Sequence, residues 1–333
     1  PYFSGSKIGW ALKNWPQLKE AGDNLAVGTI ESYLVYRLTG GKVHVSDASN
    51  ASRTALMAIG SGDWDDGLLS LFGVPRSILP EICDSAGQLG MTEASLFGAP
   101  IAITGMAGDQ QAALIGQSCL EPGQTKATFG TGAFVLTQTG RTLPKSTNRL
   151  LATVAWQLGG ERHYALEGSV FVAGSLIQWL RDDLGLIDAS PDTEPLARSV
   201  EDNGGVYLVP ALSGLGAPHW QPSARAAIHG LTFAAKKAHV ARAALEAMAH
   251  QTHDLKTAFA ADGADWAELR VDGGMVSNGW MVQDLADILA VEVERPDFVE
   301  TTALGAAMLA GVGAGLYSSL ADASVMRGKV GRF

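Results

Sequence analysis

The sequence predicts an α/β protein built as two domains, on three observations. Residues 125–129, 133–137 and 151–158 are successive apolar or alternating runs, and after them helical and strand patterns alternate to the end of the chain. Glycine-rich turns recur where predicted strands stop. At 333 residues, 47% apolar and 17% charged, the chain is long and apolar enough to bury a large core.

The elements follow in order. Residues 7–15 read as a short helix with Trp10 in the core, and residues 30–38 as a second, with Tyr33, Leu34 and Tyr36 at helical spacing. Residues 43–56 are polar and read as loop-rich, and residues 63–72 as a helix capped by Asp63. Ile101-Ala-Ile-Thr104 is a short strand that enters the turn Gly105-Met-Ala-Gly-Asp-Gln-Gln-Ala112. The composition shifts at 116–123, which sets the expected boundary between domains 1–117 and 118–333. After the three strands, residues 170–184 read as a helix whose apolar face is Val170, Phe171, Leu176, Ile177, Trp179 and Leu180. A buried strand at 206–212 ends in Ser213-Gly-Leu-Gly-Ala-Pro218. Then come a long helix at 239–259, a strand at 269–271 running into Asp272-Gly-Gly274, a helix at 278–289, a strand at 291–295 and a helix at 301–316.

Composition narrows the function. The formal charge of −10 opposes a non-specific nucleic-acid binder, which needs a basic face. Two cysteines, Cys83 and Cys119, without metal-type spacing fit a reducing compartment, hence a cytoplasmic protein. The longest apolar run, 303–316, is glycine-rich and shorter than the ~20 residues that span a bilayer, so no membrane insertion is expected. A start at Pro1 and an end at Gly331-Arg-Phe333 read as a fragment or a trimmed chain.

Asp109 sits on a tight turn among small residues, where a carboxylate can take a proton, hold a cation-bound phosphate or cap the following helix. Gly130-Thr131-Gly132, Gly168 with Gly174, Gly214-Leu-Gly216 and Gly273-Gly274 lack the GxxxxGK[ST] and GxGxxG patterns, so neither a Walker-type nor a Rossmann-type site is present. Converging strand-end turns can still cradle phosphates through backbone N–H groups, with the Thr131 hydroxyl as a further donor, or they are simply tight turns. Glu246, His250 and His253 share one helix face, but without a fourth ligand they read as a polar face rather than a metal site. Gln178 falls off the apolar stripe of its helix and can reach a ligand edge or solvent, while Tyr2 and Phe134 read as packing residues or ligand walls.

Taken together, the motifs resemble the FGGY carbohydrate kinase family, and within it the glycerol kinases. Tyr2-Phe-Ser-Gly-Ser-Lys-Ile-Gly-Trp10 resembles the first family signature, with Ala11 where a larger apolar residue is usual. Ala226-Ala-Ile-His-Gly-Leu231 followed by His239-Val-Ala-Arg-Ala-Ala-Leu-Glu246 resembles the second. His44-Val-Ser-Asp-Ala-Ser-Asn-Ala-Ser-Arg53, Gly108-Asp-Gln-Gln-Ala-Ala-Leu114, Thr128-Phe-Gly-Thr-Gly-Ala-Phe134, Gly214-Leu-Gly-Ala-Pro-His-Trp220 and Arg270-Val-Asp-Gly-Gly274 are similar to glycerol kinase segments in particular.

The resemblance implies an actin-like (ribonuclease H-like) two-domain fold with its first domain incomplete, and ATP-dependent phosphorylation of glycerol to sn-glycerol 3-phosphate with Mg2+. It implies Asp109 as general base, Tyr2, Gln110 and Phe134 as further glycerol contacts, Thr131 as a phosphate contact, and Gly174, Gln178, Gly274 and Asn278 around the adenine nucleotide. It also implies a homo-oligomer, dimer or tetramer. The family's leading phosphate loop and its Arg-Glu pair and Trp have no counterpart in these residues, so the 333 residues alone are expected to be an inefficient kinase. A kinase for another sugar or polyol, and a truncated, non-catalytic actin-like nucleotide-binding protein, are the alternatives.

Overall fold

The structure, a computed structural model, describes residues 3–333. Its centre is a seven-stranded mixed sheet: β1 (Thr125–Phe129), β2 (Ala133–Gly140), β3 (Leu151–Leu158), β4 (Glu161–Val170), β5 (Glu268–Asp272), β6 (Glu292–Pro296) and β7 (Val330–Arg332), in the order β7-β6-β5-β1-β2-β4-β3. Consecutive strands β1–β2 and β3–β4 pair antiparallel through short turns, whereas β5 lies parallel to both β1 and β6. The long crossover from β4 to β5 carries the helices that parallel pairing requires.

Both faces of the sheet are covered, as a sheet with parallel strands demands. On one face Ala127, Phe129, Val135 and Val271 pack with side chains of α2 (Gly174–Asp182), α3 (Lys237–Ala261) and α4 (Gly279–Leu289). On the other, Leu136, Ala155 and Ala165 pack with Leu114 and Ile115 of α1 (Asp109–Gly116) and with Met308 and Leu309 of α5 (Thr301–Gly313). The register opposes Lys126 to Leu136. Lys126 thus lies on the α1 side, on the face opposite Ala127 and Phe129.

The long periodic segments behave as the sequence predicts. The helices expected at 30–38, 239–259, 278–289 and 301–316 are Ile30–Leu38, Lys237–Ala261, Gly279–Leu289 and Thr301–Gly313. Other expectations are corrected. Trp10 is not core: in the helix Ser4–Asn14 it is 57% exposed and meets Trp15 edge-on at 5.7 Å, because Ile8 and Leu12, four residues apart, take the buried side. Residues 43–56 are only half loop. Val45–Asp47 pairs parallel with Glu81–Cys83 and runs into a helical turn, Ala48–Ala51. Polar residues can be buried there because each is bonded: Asp47, 0% exposed, accepts from the amides of Ser49 (3.0 Å) and Asn50 (3.1 Å) and the hydroxyl of Ser85 (2.7 Å).

Asp63 does not cap the next helix. Asp65 does, accepting from the Leu68 amide at 2.9 Å, the helix is Asp66–Phe72, and Asp63 pairs with Arg76 at 2.5 Å. The helix expected at 170–184 begins only at Gly174; Val170 ends the ten-residue strand β4 and Phe171 is exposed. A continuous apolar run such as Val170-Phe-Val-Ala173 does not distinguish strand from helix. The stretch at 206–212 holds only the strand Tyr207–Val209, paired with Ala227–His229 in a two-stranded ribbon that leaves Tyr207 exposed.

One buried carboxylate couples this packing to pH. Asp284 of α4 has its Oδ2 buried without a hydrogen-bond partner. Burial, followed by the charge of Glu246 and only partly offset by Arg242, pushes its pKa up to about 7. The folded state therefore holds this proton where the unfolded chain has released it, so the contribution to stability falls as pH rises from the ordinary carboxylate range to about 7. Asp284→Asn is expected to raise Tm at pH 8 and leave it nearly unchanged at pH 4; equal Tm at pH 8 counts against this account.

Candidate active site

A cleft of about 470 Å³ opens above the ends of β1 and β5, a size typical of small-molecule sites. Its lining includes Gly130 and Thr131 after β1, Gly174, Ile177 and Gln178 of α2, and Gly274, Met275, Ser277 and Asn278 between β5 and α4. Five predicted residues, Thr131, Gly174, Gln178, Gly274 and Asn278, thus meet in one cavity although the sequence separates them by up to 147 positions (278 − 131).

The floor is made of backbone. The carbonyl of Gly130 accepts the Gly174 amide at 2.8 Å, and the carbonyl of Thr131 accepts those of Ala173 (2.9 Å) and Ser175 (3.1 Å). A Cβ on Gly174 would stand 2.6 Å from the Gly130 carbonyl oxygen, so only glycine permits this approach. Gly273, at φ +94°, turns the chain out of β5, and its Cβ position lies 2.5 Å from the Phe129 carbonyl oxygen. The first amides of α2 are therefore spent on the β1 turn. What Gly174 offers a ligand is a bare Cα and room, not a free N–H. Gln178 is exposed toward the cleft rim, and Asn278 caps α4 through the Met281 amide at 3.0 Å while donating to Thr193 Oγ1 at 3.2 Å.

Asp109, Gln110 and Phe134 lie outside that lining and form a second group. Asp109 opens α1, where the helix dipole favours a carboxylate. Its Oδ1 accepts the Gln110 amide N–H at 2.8 Å, and the carboxylate is exposed. The turn before it is pinned from below, since Gly108 N–H donates to Ser49 Oγ at 2.9 Å and Ser49 is held by Asp47. The ammonium of Lys126 donates to Gln110 Oε1, to Thr128 Oγ1 at 2.8 Å and to the Phe134 carbonyl at 3.5 Å. Strand β1 therefore joins the two groups. Lys126 holds Gln110 near its start, and Gly130 floors the cleft at its end, about 13 Å away at ~3.3 Å per residue. Tyr2 lies outside the described residues.

Sequence reasoning missed Lys126, Ser190, Pro191, Thr193 and Glu194. The last four line the cleft from a segment without a glycine motif. Lys126 did carry a signal: a lysine inside a central strand has to be paired or hydrogen-bonded. The other polar clusters are structural. Glu246 is held by Arg242 (2.8 Å) and Asn203 (2.8 Å). Among the described residues the one convergent carboxylate group is Glu268, Glu292 and Glu294, and Arg270, Arg327 and Arg332 neutralise it as an ion-pair network.

Known proteins resemble this chain in sequence and in fold. Residues 1–116 match the family model of the FGGY family of carbohydrate kinases, N-terminal domain, and residues 125–314 match its C-terminal domain. The chain is 55% identical to a glycerol kinase of Rhodospirillum centenum and 56% identical to one of Rhodospirillum rubrum, in each case over 97% of its own length. It spans 65% and 66% of those curated relatives. It superposes on the crystal structure of Plasmodium falciparum glycerol kinase with ADP with a TM-score of 0.90 and 37% identity, covering 99% of this chain and 67% of that one. With both family domains matched in order over most of its length, the chain belongs to the FGGY family of carbohydrate kinases.

Proposed function

We propose that the protein transfers the γ-phosphoryl group of ATP to glycerol, giving sn-glycerol 3-phosphate. The observation that carries this reading is one strand, β1, which floors a glycine-walled cleft at one end and holds Gln110 beside the exposed carboxylate of Asp109 at the other. The likeness to two glycerol kinases at 55% and 56% identity supports glycerol as the acceptor. In this reading residues 1–117 belong to the acceptor-side domain and 118–333 form the nucleotide-side domain.

Phosphoryl transfer asks the protein mainly for positioning and electrostatics. Asp109 accepts the proton of the attacking hydroxyl, Gln110 and Phe134 hold and wall the polyol, and Tyr2 adds a hydroxyl contact. Thr131 meets the phosphates, Gly174 and Gly274 leave room for the nucleotide, and Gln178 and Asn278 sit along it. The residues fit a Mg2+ carried by the nucleotide. Among the described residues the only carboxylate in the cleft lining is Glu194, and it already accepts from the Gly279 amide (3.1 Å) and Arg198 (2.7 Å). The nucleotide, rather than a side chain of this lining, would hold the ion, and the chemistry it would supply is neutralisation of the phosphate charge. The family resemblance adds a cytoplasmic homo-oligomer, dimer or tetramer, which sedimentation velocity measures directly.

The test is ADP release with glycerol or D-xylulose as acceptor, together with calorimetric ADP titration. Glycerol-dependent release is expected; release with xylulose alone removes the acceptor assignment. Gly174→Val puts a branched side chain against the Gly130 carbonyl and should weaken ADP binding at least tenfold. Unchanged ADP affinity in this variant means the nucleotide binds elsewhere.

A further inference from the structure

Lys126 has no exposed surface, and no carboxylate of the described residues pairs with it within salt-bridge distance. Burial pushes its pKa down, while the charges of Asp272, Glu167 and Asp109 oppose that shift. A buried cation is costly unless its donors are satisfied. Here all three ammonium protons have acceptors: Gln110 Oε1, Thr128 Oγ1 at 2.8 Å and the Phe134 carbonyl at 3.5 Å. Two of the three belong to residues assigned to the acceptor group.

An ammonium donates and cannot accept, so the amide atom facing it has to be the oxygen of Gln110 and not its nitrogen. That settles which end of the amide faces outward. The Gln110 NH2 lies 3.5 Å from Asp109 Oδ2. The site therefore presents an acceptor, the carboxylate, beside a donor, the amide NH2. With the amide reversed, two acceptors would stand side by side, repelling each other and offering a ligand no donor.

We infer that Lys126 is a positioning residue that locks the orientation of the Gln110 amide, so that the site recognises a polyol in which one hydroxyl donates to Asp109 while a neighbouring oxygen accepts from Gln110. This inference rests on the glycerol reading for its ligand but not for the lock itself. The lock gives the buried lysine a role at a position where an apolar residue would bury at lower cost.

The experiment is a double-mutant cycle on the full chain with Lys126→Met, Gln110→Ala and the double variant, with Lys126→Arg as the charge-retaining control. Each is titrated calorimetrically with glycerol and with ADP, and each is unfolded in urea. Lys126→Met is expected to weaken glycerol binding at least tenfold and ADP binding less than twofold, and Lys126→Arg to recover part of the glycerol loss. In the Gln110→Ala background, Lys126→Met should cost less than a further twofold, because the lysine acts through the amide. Glycerol binding untouched by Lys126→Met, or the same loss with and without Gln110, overturns the inference. If the unmodified chain takes up no glycerol, the kinase reading fails separately. The urea cycle then decides the lock alone: coupled unfolding energies sustain it and additive ones remove it.

Discussion

Asp109→Asn is expected to lower the glycerol-dependent turnover by roughly 10²–10⁴-fold, the usual contribution of a general base, and to change ADP affinity less than twofold. The substitution preserves shape. Asn at the first position of α1 can still accept the Gln110 amide proton that Asp109 Oδ1 accepts at 2.8 Å, so the helix start and the Lys126–Gln110 bond stay in place. What is removed is the carboxylate proposed to accept the hydroxyl proton. KM for ATP should not move, because Asp109 lies outside the cleft that holds Thr131, Gly174 and Asn278.

The same variant separates the catalytic reading from an actin-like nucleotide-binding protein without catalysis. An assembly protein has no use for a carboxylate exposed beside a fixed amide donor. Initial rates by coupled ADP detection, with calorimetry on the same preparations, are the measurement. Full glycerol turnover in Asp109→Asn removes the proposed mechanism, whatever happens to nucleotide binding.

How much of this was legible beforehand depends on whether the signal was local. Long amphipathic helices such as Lys237–Ala261 and glycine turns at strand ends carry their signal within a few residues. The fold class and the cleft residues therefore followed from the sequence and its family motifs. Strand β4 was missed because its second half, Ala165 to Val170, is buried throughout and lacks alternation. Trp10 was misplaced because its exposure is decided by which face Ile8 and Leu12 occupy, and Asp63 because its partner Arg76 lies 13 residues on. The partners of Glu194 and Lys126 were not legible for the same reason: Gly279 and Gln110 become their neighbours only once the sheet has formed, although a lysine inside a central strand already signals that it needs one.

Gly305→Val is the second large effect expected. Helix α5 lies against α1 with its backbone almost in contact. A Cβ at Gly305 would stand 1.8 Å from the Ala112 carbonyl oxygen and 2.9 Å from the Gly116 nitrogen, and one at Gly116 2.0 Å from the Thr301 carbonyl oxygen. These neighbours are main chain, so no rotamer change relieves the clash; one helix has to move. Overpacking costs of about 3 kcal/mol follow, the top of the usual range, with Tm lower by about 6 °C at ~2 °C per kcal/mol for a chain of this size. The displaced helix is the one that begins with Asp109 and Gln110, while the same α5 also accepts Thr104 Oγ1 at the Ala310 carbonyl (2.9 Å), on the strand leading into that turn. Glycerol turnover should therefore fall more than ADP binding, since the cleft proposed for the nucleotide is floored by β1, β5 and α2. Gly274→Ala is the control: its added methyl meets nothing within 4 Å, so Tm should stay within about 1 °C. A Gly305→Val protein that melts with the wild type would mean that α1 and α5 can separate without cost. The position of Asp109 would then have to be set without α5, by the Ser49–Gly108 bond, the Lys126–Gln110 bond and the packing of Leu114 and Ile115 on the sheet.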